Sequence, residues 1–553
     1  MTPEQLSEVI AAALNALVDK GSVSLPDGAP ATVHVERPKN RDHGDYATNI
    51  ALQLGKKASM NPREFAAVLA AELQGHAGIS SVDIAGPGFL NIKVSAGAQG
   101  EIARLVLEAG EAYGHSEPSG TRINLEFISA NPTGPLHLGH TRWAAVGDAL
   151  SRVLRAAGNE VANEFYINDR GIQMDKFGAS LMARANGQEP PEDGYLGGYV
   201  NDIAEQIVAA HPAIRELPES EQIVAFREAG YELQLREHQE QLANFRTNFD
   251  VWFSERSLHE TDAVDVSLKM LEDQSRSYTE AGAIWMRTTD FADDKDRVLV
   301  KSDGSLTYFA SDTAYYVNKR GRGFDRCIYL LGADHHGYVG RLSAMAACVG
   351  DTPGDELLVL IGQLVKIFSD GQELKLSKRA GTIVTLAELV ELIGVDALRY
   401  TLIRYPADSP LTLDVAEMTR QSSDNPVYYV QYAHARLSSI LRNAAEFGIH
   451  VDAESFEPGV LSHDREGDLL RSLAEFPQVV AQAAELYEPH RIARYLEDTA
   501  SAFHKFYDAC RVLPQGDEEA TDIHSARLVL VAATRQVFAN GLAMLGVTAP
   551  ERM

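Results

Sequence analysis

Cysteine is scarce: there are three in 553 residues, Cys327, Cys348 and Cys510, far apart and without a CxxC pair. That argues against a disulfide framework, gives no structural zinc signature, and fits a reducing cytoplasm. Positive charge is in deficit as well. Fifty Lys and Arg against 78 Asp and Glu leave a net charge of -28, which argues against broad nucleic-acid binding, because a phosphate backbone selects positive potential. A large enzyme can still bind RNA through one basic surface, so RNA stays open as a partner. No uninterrupted apolar run reaches the roughly 18 residues of a membrane span, and the start, Met1-Thr-Pro-Glu-Gln-Leu6, lacks the basic and apolar regions of a signal peptide. Neither export nor membrane insertion is expected. Internal repeats and low-complexity tracts are also lacking.

What is present is an ordinary globular composition, 45% apolar and 23% charged, in a chain long enough for about three or four domains. Leu6, Ile10, Leu14 and Leu17 recur at helical spacing, Pro62–Leu73 reads as another helix, and Ala31–Val35 and Phe89–Val94 read as extended runs. An α+β domain of its own is expected there. His115–Gly120 has linker chemistry, after which Ile123–Ile128 reads as a buried strand. The next helix places Trp143, Val146, Leu150, Val153 and Ala157 on one face, ends at Gly158-Asn159, and leads to a strand at Val161–Ile167, a βαβ unit. Residues of about 186–248 turn polar and helical, as an insertion would. Cys327–Gly332 and Glu356–Ile361 are continuous apolar runs suited to a parallel sheet buried on both faces. From Leu386 onward the chain reads as almost wholly helical, with periodic stripes at Leu469–Ala483 and Leu528–Leu545.

Two short motifs carry chemistry. His137-Leu-Gly-His140 lies between the first buried strand and its helix, preceded by Asn131-Pro132 and Gly134-Pro135. Positioned imidazoles at a helix N-terminus suit charge developing on a phosphate, and Gly139 lets a nucleotide base approach the backbone. By itself such a turn is as readily a strand-to-helix connection with incidental polar residues. Far downstream, Lys375-Leu-Ser-Lys-Arg379 follows the apolar run Leu364–Phe368. Two ammonium groups around Ser377 suit β- and γ-phosphates; alone, the stretch reads as solvated surface.

Together the two motifs resemble the paired signatures of class I aminoacyl-tRNA synthetases. Arg37–Thr48, Gly332–Tyr338, Asn425–Arg436 and the terminal Leu545–Met553 bring the resemblance closer, to the arginyl-tRNA synthetase family, over the whole chain and in family order. The resemblance implies an α/β fold: a Rossmann-type parallel-sheet catalytic domain at 116–385 with a helical insertion at about 186–248, an N-terminal α+β domain at 1–115 that contacts the tRNA elbow, and a C-terminal all-helical, anticodon-binding domain at 386–553.

It further implies ATP with Mg2+ as a substrate complex and no structural metal. His137, His140, Lys375 and Lys378 would serve the phosphates, with Gly139, Gly332, Asp334, His336 and Ser377 around the nucleotide. An N-cap role for Asp334 is the alternative. A planar, permanently charged guanidinium is best held by carboxylates; the family pattern selects Glu255 and Asp312, with Tyr308 beside the substrate and Ser129 and Asn131 at its α-amino and carboxylate end. Tyr429, Tyr432 and Met553 would lie near the anticodon, core packing being the alternative for either tyrosine. The expected partners are tRNA(Arg), L-arginine and ATP, without a membrane, for a monomer. A class I synthetase for cysteine would need zinc-ligating residues that these cysteines do not supply. A non-catalytic tRNA-binding paralogue should have lost phosphate-contacting residues that are all present here.

Overall fold

A computed structural model describes residues 1–38, 43–373, 384–516 and 518–553. Helix α1 (Pro3–Asp19) opens on Thr2, whose side chain accepts from the Gln5 N–H while the Gln5 side chain bonds back to the Thr2 backbone, with proline in the first turn. Its stripe of Leu6, Ile10, Leu14 and Leu17 is buried. Strand β1 (Tyr46–Thr48), helices α2 (Ile50–Gly55) and α3 (Pro62–Leu73), and strands β2 (Ile79–Ala85) and β3 (Phe89–Val94) complete a small core around an antiparallel sheet of order β1-β3-β2. Ala31–Val35 differs from expectation. Val33 and Val35 are buried, but the run forms no ladder, and only a single bridge joins Glu36 to Ala47.

Helix α4 (Ala96–Ala109) leads into the central layer: β4 (Arg122–Phe127), α5 (Leu138–Ala156), β5 (Glu160–Ile167), α6 (Ile172–Ala185), the inserted α7 (Gly198–Ala210) and α8 (Glu219–Asn244), and β6 (Val251–Ser254). Short helices α9 (Arg256–Glu260) and α10 (Ala263–Asp273) precede an antiparallel meander of β7 (Ser277–Glu280), β8 (Ala283–Met286) and β9 (Arg297–Val300). Helix α11 (Tyr308–Gly321), β10 (Arg326–Gly332), α12 (Val339–Cys348) and β11 (Leu357–Gly362) finish the layer. The sheet is parallel, in order β11-β10-β4-β5-β6. Strand order reverses between β4 and β10, so the crevice outside their carboxyl ends is where such a sheet binds ligands. The edge strand β6 and the meander have no counterpart in the sequence reading: their four-residue runs are too short for periodicity to register.

Beyond the sheet lie β12 (Val365–Ser369), β13 (Gln372–Glu373), α13 (Leu386–Ile393), α14 (Val395–Ile403), β14 (Leu411–Asp414), α15 (Val415–Met418), α16 (Pro426–Glu446), α17 (Asp464–Glu485), α18 (His490–Ala509) and α19 (Asp522–Met544). The expected all-helical tail thus contains a strand, since β14 pairs in parallel with β12 and satisfies its edge. Helix α4, placed with the first domain in the sequence reading, packs instead on α17 and α19, while the small N-terminal core closes at Val94. Helix α5 is buried almost all round because β4 and β5 cover one side and α14 and α17 the other. Burying Leu150 or Val153 there is worth about 1.5–3 kcal/mol each. Among the described residues no helix is long and apolar enough to cross a membrane.

Candidate active site

The first motif stands at the switch point. After β4 the backbone turns through Ile128 and Ser129, both left-handed at φ 72° and 46°, a conformation that strains a β-branched residue in particular. The Ser129 hydroxyl is engaged within the protein, donating to Glu126 Oε1 at 2.9 Å and accepting from the Tyr166 N–H at 3.2 Å. Asn131 is exposed. His137 is the N-cap of α5: its Nδ1 accepts the Gly139 N–H at 3.1 Å, and His140 Nδ1 accepts the His137 N–H at 3.2 Å. The rings stack at 3.9 Å. Because both Nδ1 atoms accept backbone protons, each neutral ring carries its own proton on Nε2, a donor suited to phosphate oxygens at a positive helix end. A Cβ on Gly139 would lie 3.0 Å from the His137 ring, so this glycine makes room first for the imidazole.

Lys375, Ser377 and Lys378 lie outside the described residues. The segment that follows them is seated against the first motif: Leu138 N–H donates to the Val384 carbonyl at 3.2 Å, and Leu386 N–H to that of Leu136 at 2.8 Å. Arg142, one turn into α5, is buried and donates to the carbonyls of Gln363, Pro406 and Ser409 at 2.7–2.8 Å. Burial pushes its guanidinium down to about 10. Trp143 packs so closely over Gly362 that a Cβ there would stand 1.6 Å from the indole.

Across the sheet ends, acids gather. Glu255 follows β6, is buried, and is held through its N–H to the Ile167 carbonyl at 3.1 Å. Burial raises its carboxyl, the neighbouring Tyr166 hydroxyl opposes that rise, Asp169 and Asp312 add to it, and the Arg170 cation lowers it. Asp312, one turn inside α11, accepts from the Tyr338 hydroxyl. Burial pushes its carboxyl up to about 6, against the Tyr338 bond and with repulsion from Glu126. Neither acid forms an ion pair among the described residues. Tyr308 heads α11 and is 81% exposed.

Gly332 ends β10, and Asp334 and His336 follow in an exposed turn where Asp334 lies 3.5 Å from His335. The N-cap of that turn is Gly332, so Asp334 lies inside it rather than capping it. On α16, Tyr429 is half-buried against His504 at 5.2 Å, while Tyr432 is partly exposed and stacked on Tyr428 at 6.1 Å. Met553 is exposed.

Ser129, Asn131, His137 and His140 thus follow the carboxyl end of β4 and Glu255 that of β6, with Asp312 acting on Glu255, while Tyr429, Tyr432 and Met553 lie on the helical part. Sequence reasoning missed Tyr166, Tyr338, Glu126 and Arg142. No local signal marks Tyr166, Tyr338 and Arg142, because their partners are remote in the chain; Glu126 has a near partner in Ser129 but also a remote one in Lys319. Residues 102–399 match the catalytic domain of the class I (R) tRNA synthetases, residues 4–94 the arginyl-tRNA synthetase N-terminal domain, and residues 430–553 the DALR anticodon-binding domain. The chain belongs to the class I arginyl-tRNA synthetases. The arginine–tRNA ligase of Kineococcus radiotolerans is 56% identical over all of both chains, and that of Frankia alni is likewise 56% identical over all of both. In fold, the Thermus thermophilus arginyl-tRNA synthetase superposes over all of both chains with a TM-score of 0.76 at 22% identity. As a class I arginyl-tRNA synthetase, the enzyme runs an ATP-dependent ligase reaction.

Proposed function

We propose that this arginine–tRNA ligase works in two steps on the site described. The carboxylate of L-arginine attacks the α-phosphorus of Mg-ATP, forming arginyl-adenylate and releasing pyrophosphate. The 2′-hydroxyl of the terminal adenosine of tRNA(Arg) then takes the arginyl group, and AMP leaves. Catalysis is by positioning and charge stabilisation, with no side-chain nucleophile.

The observation that carries the reading is the pair Glu255 and Asp312: a buried and a half-buried carboxylate beside the hydroxyls of Tyr166 and Tyr338, neither of them in a salt bridge among the described residues. A guanidinium forms charge-assisted bonds with both, whereas citrulline lacks the charge and lysine the fork. Tyr308 and Asn131 line the approach of the substrate. His137 and His140, at the α5 N-terminus, donate from Nε2 to the ATP phosphates, Lys375 and Lys378 hold the pyrophosphate end beside Ser377, and Gly332, Asp334 and His336 meet the ribose and base. Gly139 keeps the His137 turn open. Tyr429, Tyr432 and Met553 meet the anticodon loop. The enzyme acts as a monomer, and the scarcity of cysteine supports a cytoplasmic setting.

ATP–pyrophosphate exchange with each amino acid, with and without tRNA, tests the reading. Exchange that responds to another amino acid and not to arginine overturns it.

A further inference from the structure

The insertion reaches back to the ATP turn. Along α8 the buried positions fall every four residues, Phe226, Gly230, Gln234, His238 and Leu242, a narrow seam against the rest of the fold. An apolar residue suits every such place, yet His238 is fully buried. Its Nε2 lies 2.8 Å from the Gly134 carbonyl, while its Nδ1 has no partner. A carbonyl only accepts, so His238 carries a proton on Nε2 and donates it to Gly134. Burial pushes its imidazole down to about 4, which keeps it neutral. On α7, the Tyr199 hydroxyl donates to the adjacent carbonyl, that of Thr133, at 2.9 Å. A Cβ added at Gly134 would stand 3.1 Å from that hydroxyl.

Two consecutive carbonyls of the loop between Asn131 and His137 are thus each held by a polar side chain of the insertion. Upstream, the same loop starts from the left-handed Ile128 and Ser129, a conformation that persists only where its surroundings hold it. We infer that Tyr199 and His238 are positioning residues for arginyl-adenylate formation: the insertion sets the path of the loop that carries Asn131 and delivers His137 to the helix start. The inference rests on the reading of His137 as a phosphate contact.

The test is arginine-dependent ATP–pyrophosphate exchange, with tRNA, by the full-length chain and its variants. One hydrogen bond is worth about a factor of ten in rate if it acts in the transition state. Tyr199→Phe and His238→Leu should each lower kcat about tenfold and leave the KM for tRNA unchanged. His238→Gln, which restores a donor near the Nε2 position, should recover to within about threefold. Single variants within about twofold of the parent, equal losses in His238→Gln and His238→Leu, or a loss confined to the KM for tRNA would each overturn the inference. If His238→Leu does not fold by circular dichroism, Tyr199→Phe decides by the same criteria. A silent His137→Ala sinks the phosphate reading itself; an active-site defect in His137→Ala beside a silent Tyr199→Phe sinks only the positioning role.

Discussion

Two groups of charges taken out of water are treated in opposite ways in this molecule. Arg399 is wholly buried. Its guanidinium donates to Asp148, to the Thr247 hydroxyl and to the carbonyls of Phe245 and Leu545 at 2.5–3.2 Å, so that α14, α5, the end of α8 and the C-terminal tail meet on one side chain. Every bond there is internal. Glu255 and Asp312 lie beside tyrosine hydroxyls with no salt bridge among the described residues, Arg170 lowers the Glu255 carboxyl only in part, and Asp312 raises it. The first arrangement is complete without a ligand; on the proposed reading, the second is completed by the substrate guanidinium. On that reading, whether a charge already has partners separates structural from functional charge more sharply than burial does.

The contrast can be broken from either side. Replacing Arg399 with Met leaves several carbonyls unpaired and Asp148 with Arg152 as its remaining partner, and should cost about 3–5 kcal/mol in urea unfolding, with the KM for arginine unchanged in the folded fraction. A loss below about 1 kcal/mol would show that the knot holds nothing. Asp312→Asn should do the reverse. Removing one charge-assisted contact of about 1.5–3 kcal/mol raises the KM for arginine roughly ten- to 150-fold, without loss of stability and with the KM for ATP unmoved. Equal effects on both substrates would take Asp312 out of the guanidinium site.

A subtler probe is pH. Above about 6 the Asp312 carboxyl is ionised and meets the guanidinium directly; below it, a bound proton must leave first. The KM for arginine should therefore climb toward tenfold per unit as pH falls beneath about 6, and this dependence should vanish in Asp312→Asn. A slope that survives in the variant assigns the titration to another group. The smallest effect is expected far from the sheet. Tyr432→Ala should raise the KM for tRNA about fivefold, about 1 kcal/mol of lost stacking, and leave pyrophosphate exchange with arginine at saturating tRNA as it was. An equal loss in exchange would mean that the ring supports the fold instead.

Much of this was readable in the chain. The stripes of α1, α3, α17 and α19 announced themselves by spacing, since a helix face repeats within a few residues and each repeat adds to the signal. The parallel strands β10 and β11 showed as unbroken apolar runs because both faces are covered. Strand β14 did not, because four residues beside a remote β12 carry no period. The linker chemistry of His115–Gly120 is present in the structure as irregular chain, yet it could not show that α4, just before it, packs on helices some hundreds of residues later.

The site divides along the same line. His137, Gly139 and His140 are legible because capping, tautomer and helix start are local matters, settled within one turn. Glu255 and Asp312 were reachable only through the family pattern, as two acids among 78. By itself, then, the sequence determined the long helical stripes, the parallel strands β4, β5, β10 and β11, and the turn that carries two imidazoles. Which acids lose their water, which hydroxyls meet them, and which buried cations already have partners were decided by tertiary structure alone, because desolvation and Coulomb interaction depend on distance in space and not on separation along the chain.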